Sequence, residues 1–402
     1  MRRYVGIWMT GAVAAVALGG CEEIPCPEAI PGRVESEITA TFDARAWDIC
    51  AASGGGFVVA GYASGQPFSP VASATYERSL DSFVVMLDAS GNIEWSRTFG
   101  GDGADEVRNI EPAGDGGYIV AGNKGASPLD PVFFYDPASV FAARLDSQGS
   151  VLWTVEPETD RFTAAYGLCV NADGSFVVAG DTRDAEYGAS DAFLIKFDPN
   201  GAELWRRRYG SGRDVGAQDV ITTSDGGYAF TGYVQDQIVA RLDAGGEVQW
   251  EFFLDEVAIL KELAFRTKKI IETSDGGFAV VGSTFGELLV LKLDGGGNYL
   301  WQARVSDVGE AEGHAILETA EGDLVAAGVS YARNSFGRRV CSHLLLVRLG
   351  SEGDIRWSGQ VGSKETIFPC AMVVDGDSLK LAGSIREDFV HSIYLVTTDA
   401  GG

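Results

Sequence analysis

SDGGYAFTGYVQDQIVARLDAGGEVQWEFFLD, residues 224–255, decides how the chain folds. A tight Asp225-Gly226-Gly227 turn leads into an apolar run that closes on Gly232. A second apolar run ends at Leu242-Asp243, a Gly-rich turn follows, and the phrase finishes around Trp250. Runs this short, β-branched or aromatic and parted by glycine turns, have the grammar of hairpins and not of helices. One copy supplies four runs, A to D: before the first turn, after it, before the second turn and after it.

The phrase recurs. First turns stand at 54–56, 115–117, 173–175, 225–227, 275–277, 321–323 and 375–377. The runs that follow close on Gly61, Gly122, Gly180, Gly232, Gly282, Gly328 and Gly383, at spacings of 61, 58, 52, 50, 46 and 55 residues. Six copies continue to a tryptophan: Trp95, Trp153, Trp205, Trp250, Trp301 and Trp357. Four-stranded units at this period predict a β-propeller, in which each unit buries its faces against its neighbours. The fold expected is all-β, a seven-bladed propeller over 34–402 with four-stranded antiparallel blades. In run D of the first copy Ile93, Trp95 and Phe99 share one face at period two. The tryptophans are therefore expected to be structural, packed between blades. The last copy ends without a run D, and Ser36–Phe42 offers a match to it. Aligning Thr41-Phe42 with Thr98-Phe99 puts Ile38 in the tryptophan's place, so an N-terminal strand is expected to close the ring and remove a sheet edge.

Composition agrees with a large folded core and with an acidic surface. Of the residues 46% are apolar, 53 are glycine and only 12 proline, and the net charge is −26. Such a charge disfavours nucleic acid and anionic headgroups as partners and favours solubility. At the N-terminus Met1-Arg2-Arg3 precedes an uncharged apolar run of 17 residues, Tyr4–Gly20. A membrane span needs about 20 residues, and the shape is that of a secretory signal. Leu18-Gly19-Gly20-Cys21 resembles a bacterial lipoprotein lipobox. The resemblance implies a signal peptide over 1–20, a lipid (palmitate-type) acyl anchor on Cys21, and a Pro-stiffened tether over 21–33. Residues 1–20 hold Arg2 and Arg3 and no acid, so their removal would take the charge to −28.

Leu87-Asp88-Ala89-Ser90-Gly91-Asn92-Ile93-Glu94-Trp95 resembles the blade motif of quinoprotein-like (PQQ-like) propellers, Leu-Asp-x-x-Gly-x-x-x-Trp. Leu145–Trp153, Phe197–Trp205 and Leu242–Trp250 repeat it, while the sixth copy departs with Leu349-Gly350. Some lipoproteins of this kind act as scaffolds in outer-membrane protein assembly, and the resemblance implies that role as an analogy. It also implies a rival, a quinoprotein-type oxidoreductase.

Strands alternate in direction, so the A–B and C–D turns share one face of the disc and the B–C and D–A loops the other. Long B–C loops are expected over 62–80, 123–139 and 329–342, in neighbouring blades. They carry the candidate binding residues Phe68, Tyr76, Phe133, Phe134, Tyr135, Tyr331, Phe336, Arg338 and Arg339, and aromatics and arginine are enriched at binding hot spots. The same residues could equally tuck the loops onto the disc. Glu256–Phe265 has helical spacing and precedes Arg266, Lys268 and Lys269, which reads as a packing helix or as a basic dock.

Catalytic chemistry is hard to assign. The three histidines, His314, His343 and His391, have no metal-ligand spacing, and no hydrolase or phosphate-loop motif occurs. Asp102–Asp105 and Asp181–Asp184 do not match the twelve-residue calcium loop and read as turn caps. Beyond Cys21 there are five cysteines, so at least one stays unpaired. Cys50 and Cys169 fall in non-adjacent blades, and Cys341 with Cys370 is the candidate disulfide. The expectation is a non-catalytic binding or scaffold protein of the cell envelope, lipid-anchored, monomeric, without cofactor or metal. Its partner would be an envelope protein or, in a carbohydrate-binding alternative, a surface glycan.

Overall fold

The computed structural model describes residues 34–399 apart from 39–43, 53, 65–79, 89–90, 101–103, 127–138, 159–161, 184–188, 211, 234–236, 257–264, 307, 334–338, 363–365, 376–377 and 388–389. After β1 (Val34–Ile38), the first repeat holds β2 (Ala44–Ala51), β3 (Phe57–Ser64), β4 (Leu80–Leu87) and β5 (Ile93–Phe99). The second holds β6 (Ala104–Pro112), β7 (Tyr118–Ala126), β8 (Ser139–Leu145) and β9 (Val151–Val155). The third holds β10 (Phe162–Val170), β11 (Phe176–Arg183), β12 (Asp191–Phe197) and β13 (Glu203–Tyr209). The fourth holds β14 (Asp219–Thr222), β15 (Tyr228–Tyr233), β16 (Gln237–Leu242) and β17 (Val248–Phe253). Then come β18 (Arg266–Glu272), β19 (Phe278–Thr284), β20 (Glu287–Leu293) and β21 (Tyr299–Val305). The sixth repeat has β22 (Glu310–Glu318), β23 (Leu324–Arg333), β24 (Arg339–Leu349) and β25 (Ile355–Gly362). The last has β26 (Thr366–Asp375), β27 (Ser378–Glu387) and β28 (Val390–Asp399).

Within a repeat the strands pair antiparallel in chain order, which makes the fold an all-β propeller of four-stranded blades. Consecutive A strands touch one another and β26 returns to β2, so the A strands enclose a central channel and the D strands form the rim. The seven separate blades expected from the repeats are corrected to six sheets. Five have four strands, and the sixth has eight, because Leu80 at the start of β4 pairs in parallel with Ala104 at the start of β6 and joins the first two repeats. Strand β1 pairs with β28 and occupies the place of a strand D. Its register is also a correction. Val34 opposite Thr397, and not Ile38, takes the position of Trp95 opposite Met86, each three residues beyond the partner of the closing glycine. Val34 and Ile38 repeat the four-residue spacing of Trp95 and Phe99, which the match through Thr41-Phe42 overlooks.

The core lies between repeats. Phe176, Val177, Val178 and Ala179 are fully buried although successive side chains point to opposite faces. Phe176 and Val178 pack with Ala142 of the preceding repeat, and Val177 and Ala179 with Phe230 of the next. Each buried Val or Phe contributes roughly 1.5–3 kcal/mol, so stacking of neighbours holds the disc together. Two-sided burial is why the B and C runs read as continuous apolar stretches.

The repeated motif is accounted for by turns and packing. The Asp of Leu-Asp closes the C–D turn: Asp146 accepts from the Ser150 amide at 2.8 Å, and Asp294 from the Asn298 amide at 2.8 Å. The motif glycine takes the left-handed conformation, as Gly91 does at φ 84°. The Asp of the first turn caps its own turn and binds a cation from strand C, as in Arg241–Asp225 (2.6 Å) and Lys292–Asp275 (3.0 Å). The motif tryptophan rings lie against the following repeat: Trp95 tilted to Tyr118, Trp153 stacked on Phe176 at 5.9 Å, and Trp205 and Trp250 edge-on to Tyr228 at 5.8 Å and Phe278 at 5.5 Å. Trp301 donates to the Ser351 carbonyl at 2.9 Å, and Trp357 packs into the core shared with Leu381.

Candidate functional site

A second repeated feature, absent from the motif, builds the channel. Every closing glycine with a described partner lies opposite an irregularity in strand A. The pairing skips Trp47 in β2, Arg108 in β6, Tyr166 in β10, Lys268 in β18, His314 in β22 and Cys370 in β26. These are β-bulges, which re-aim a side chain while leaving the sheet intact. The bulge drives strand A's carbonyl into the neighbouring strand. A Cβ on Gly61 would overlap the Arg45 carbonyl oxygen, and one on Gly122 that of Glu106. The glycine that punctuates each apolar run is therefore there for close backbone approach.

Strand A begins on the loop face, and the skipped residues are the third to fifth of their strands, so they belong to the mouth half of the channel, down to its middle. Trp47, Arg108, Tyr166, Lys268 and His314 are half-buried. Trp47 lies between two guanidinium groups, with Arg108 4.1 Å and Arg45 4.9 Å from its ring centre. Arg108 also lies 5.6 Å from the Tyr166 ring. Buried Glu106 ties the group together, accepting from Trp47 Nε1 (3.2 Å), Arg108 Nε (2.7 Å) and Asn123 Nδ2 (3.1 Å). Lys268 stands 5.9 Å from the Tyr233 ring. Burial first, then the charges of Lys268 and Arg45, push the His314 imidazole down to about 3. His314 is thus neutral at physiological pH, and its Nε2 lies 3.8 Å from Glu312.

Deeper in the channel the charge changes sign. Asp48 accepts from the Ile110 amide at 3.0 Å and Asp219 from the Ile270 amide at 3.0 Å, each reaching across to the next repeat's A strand. Lys269 Nζ lies 3.1 Å from Asp219. Burial raises the carboxyls of Asp48 and Asp219, with Lys269 opposing. Burial, aided by Asp48 and Asp219, carries Glu111 up to about 8. Lys269 is held charged by Asp219, Asp48 and Glu111 against its own burial. Aromatic rings beside guanidinium and ammonium groups at the mouth suit recognition. The buried carboxylates below act as staples between repeats.

Of the loop residues expected to bind, Phe68, Tyr76, Phe133, Phe134, Tyr135, Phe336 and Arg338 lie outside the described residues, as does Cys21. Tyr331 is in β23, opposite Ser342 and Glu310, and buried. Arg339 opens β24 opposite Arg333. The loops are shorter than expected, since β3 extends to Ser64, β7 to Ala126 and β23 to Arg333. Cys341 and Cys370 lie in β24 and β26, and their side chains are outside the described set, whereas Cys50 and Cys169 are free and buried. The expected helix over Glu256–Phe265 is corrected in part: Leu254–Glu256 is a 3₁₀ turn, 257–264 lies outside the described residues, and Phe265 is fully buried. Arg266, Lys268 and Lys269 belong to β18 and not to a helix tail. Sequence reading missed Trp47, Arg108 and Tyr166. The available signal was polar or bulky residues in A strands, at a fixed offset from the glycine.

Residues 235–382 match the family model described as outer membrane protein assembly factor BamB. The chain carries PQQ-like propeller repeats. Among solved structures it resembles Sqt1 from Chaetomium thermophilum, at 12% identity and TM-score 0.52, over 88% of this chain and 84% of that one. The structure of Chaetomium thermophilum Sqt1 bound to the N-terminus of ribosomal protein L10 matches at 11% identity and TM-score 0.51, over 91% of this chain and 100% of that one. A protein of unknown function from Dyadobacter fermentans DSM 18053 matches at 13% identity and TM-score 0.50, over 92% and 98%. At these identities the likeness shows the fold alone. Comparison with curated proteins finds no match.

Proposed function

We propose that this protein is a non-catalytic binding or scaffold platform of the bacterial cell envelope, anchored by lipid on Cys21, which takes hold of a partner protein at the channel mouth on its loop face. The observation that carries this reading is the repeated bulge, which brings Trp47, Arg108, Tyr166, Lys268 and His314 from five different repeats to one opening. Two comparisons support the reading: the family model is described by an outer-membrane assembly factor, and Sqt1 engages a protein terminus. Below the mouth Asp48 and Asp219 are bound to strand amides of the next repeat, which suits a structural part for them.

The test is cross-linking capture from envelope membranes. The native protein is compared with a Trp47→Ala/Lys268→Glu double variant of unchanged melting temperature. Partners captured by the native form and lost from the variant uphold the mouth as the binding site. An identical capture list from both forms rejects it.

A further inference from the structure

The B–C connection of the fifth repeat is a turn of two residues, Phe285-Gly286, closed by Thr284 opposite Glu287. Both turn residues have positive φ, 44° at Phe285 and 81° at Gly286. Two-residue hairpin turns with that backbone select Asn-Gly. Among the described residues Phe285 is the only one other than glycine with positive φ. The left-handed region disfavours a residue with a Cβ roughly five- to thirtyfold, and a bulky side chain there is an outlier. Burial does not offset that cost, because Phe285 is 74% exposed. Among the described residues the other exposed large apolar side chains, from Ile93 to Ile355, all stand in D strands on the rim. Phe285 stands apart from them, on the loop face.

The turn is tied to the strands that build the mouth. The Gly286 carbonyl accepts from the Ala311 amide at 2.6 Å, and the Glu310 side chain lies against Gly286. Ala311 belongs to β22, whose bulge presents His314, and β19 pairs with β18, whose bulge presents Lys268. A ring carried on a two-residue turn and fixed at its base is preorganised, so little freedom is lost when it binds. Aromatic anchors fill pockets on a partner and carry a large share of the binding energy. Charge selects the occupant. Glu310 and Glu287, the latter 3.6 Å from Arg304, stand beside the turn in a chain of net charge −26. Carboxylates there disfavour the phosphates of a lipid surface or a nucleic acid. A protein with a concave apolar pocket the size of one aromatic ring fits.

We propose that Phe285 is an anchor of the loop-face interface, a ring that inserts into an apolar pocket of the partner protein. The inference rests on the reading that the loop face binds a protein, and it adds a contact outside the channel. In the full-length protein Phe285→Asn installs the residue that the turn favours, so the melting temperature should rise, by about 1 °C or more. With the photo-cross-linker p-benzoylphenylalanine at position 285, irradiation of envelope membranes should join the chain to a protein through that protein's apolar residues. The captured protein, purified, should bind Phe285→Asn at least roughly tenfold more weakly than the native chain, with a smaller loss for Phe285→Leu. Its affinity for the Trp47→Ala/Lys268→Glu variant separates the two readings. Loss with Phe285→Asn alone upholds the anchor and rejects the mouth, and loss with the double variant alone does the reverse. Loss with both upholds both. A melting temperature that does not rise overturns the proposal, as does unchanged affinity of Phe285→Asn for the captured protein. No cross-link from position 285, or one only to lipid or to a second copy of this chain, overturns it too.

Discussion

Glu111 sits in the channel with Asp48, Asp219 and one lysine, and its carboxyl titrates near 8 against an ordinary 4.5. The folded protein therefore keeps a proton that the unfolded chain gives up. The stability tied to that proton is whole below about pH 4.5 and is lost as pH rises from there through 8. Glu111→Gln fixes the neutral form. It should match the parent near pH 5 and exceed it at pH 9 by on the order of 1–2 kcal/mol, less than the full linkage because the surrounding groups relax around the charged form. Thermal denaturation at both pH values decides the matter, and a shift of equal size at both would show that the residue acts by packing and not by charge. His314 tells the complementary story: Lys268 and Arg45 help to keep it neutral, so the mouth gains no charge from it at physiological pH.

The A strand and its bulge form the next scale. Gly282 lies where a Cβ would overlap the Arg266 carbonyl oxygen and press on Phe265, so Gly282→Ala must open the bulge that presents Lys268. A cost of roughly 2–4 kcal/mol is expected. Gly54→Ala, in a turn where a Cβ meets nothing, should stay within about 0.5 kcal/mol. Denaturant midpoints for the two variants test this, and equal midpoints would refute the steric role. Here the limits of the sequence are plain. Asp225-Gly226-Gly227, the closing glycines, Leu-Asp and Trp250 are legible because each answers a local need of a turn or a stack, and the same need recurs in every repeat. The channel is not legible because the bulge fixes a position and not a residue type: Trp, Arg, Tyr, Lys and His follow one another there, and only the ring shows that they meet. Lys268 and Lys269 are hidden for another reason, since the helical spacing of Glu256–Phe265 draws them into the wrong element.

For the whole molecule the question is what keeps the ring shut. Every repeat buries its faces against two neighbours, so an opening at one place exposes two stacking surfaces at once. Among the described residues the last repeat holds three strands, and β1 supplies the fourth of that sheet, pairing from Val34 opposite Thr397 to Ile38 opposite Ile393. Five residues of backbone pairing thus join the two ends, and without them β28 becomes a bare edge, open to pairing with another chain. Deleting residues 34–38 within the full-length protein should lower the melting temperature by about 3 °C or more, since each kcal/mol shifts a cooperative unit of this size by roughly 1 °C or slightly more. The shortened protein should also associate as its concentration rises. A synthetic peptide of residues 34–42 added in excess should restore both properties by refilling the vacant edge. Melting curves and sedimentation of the deleted form, with and without that peptide, check the three expectations together. An unchanged melting temperature would mean that stacking between the first and last repeats closes the ring without β1.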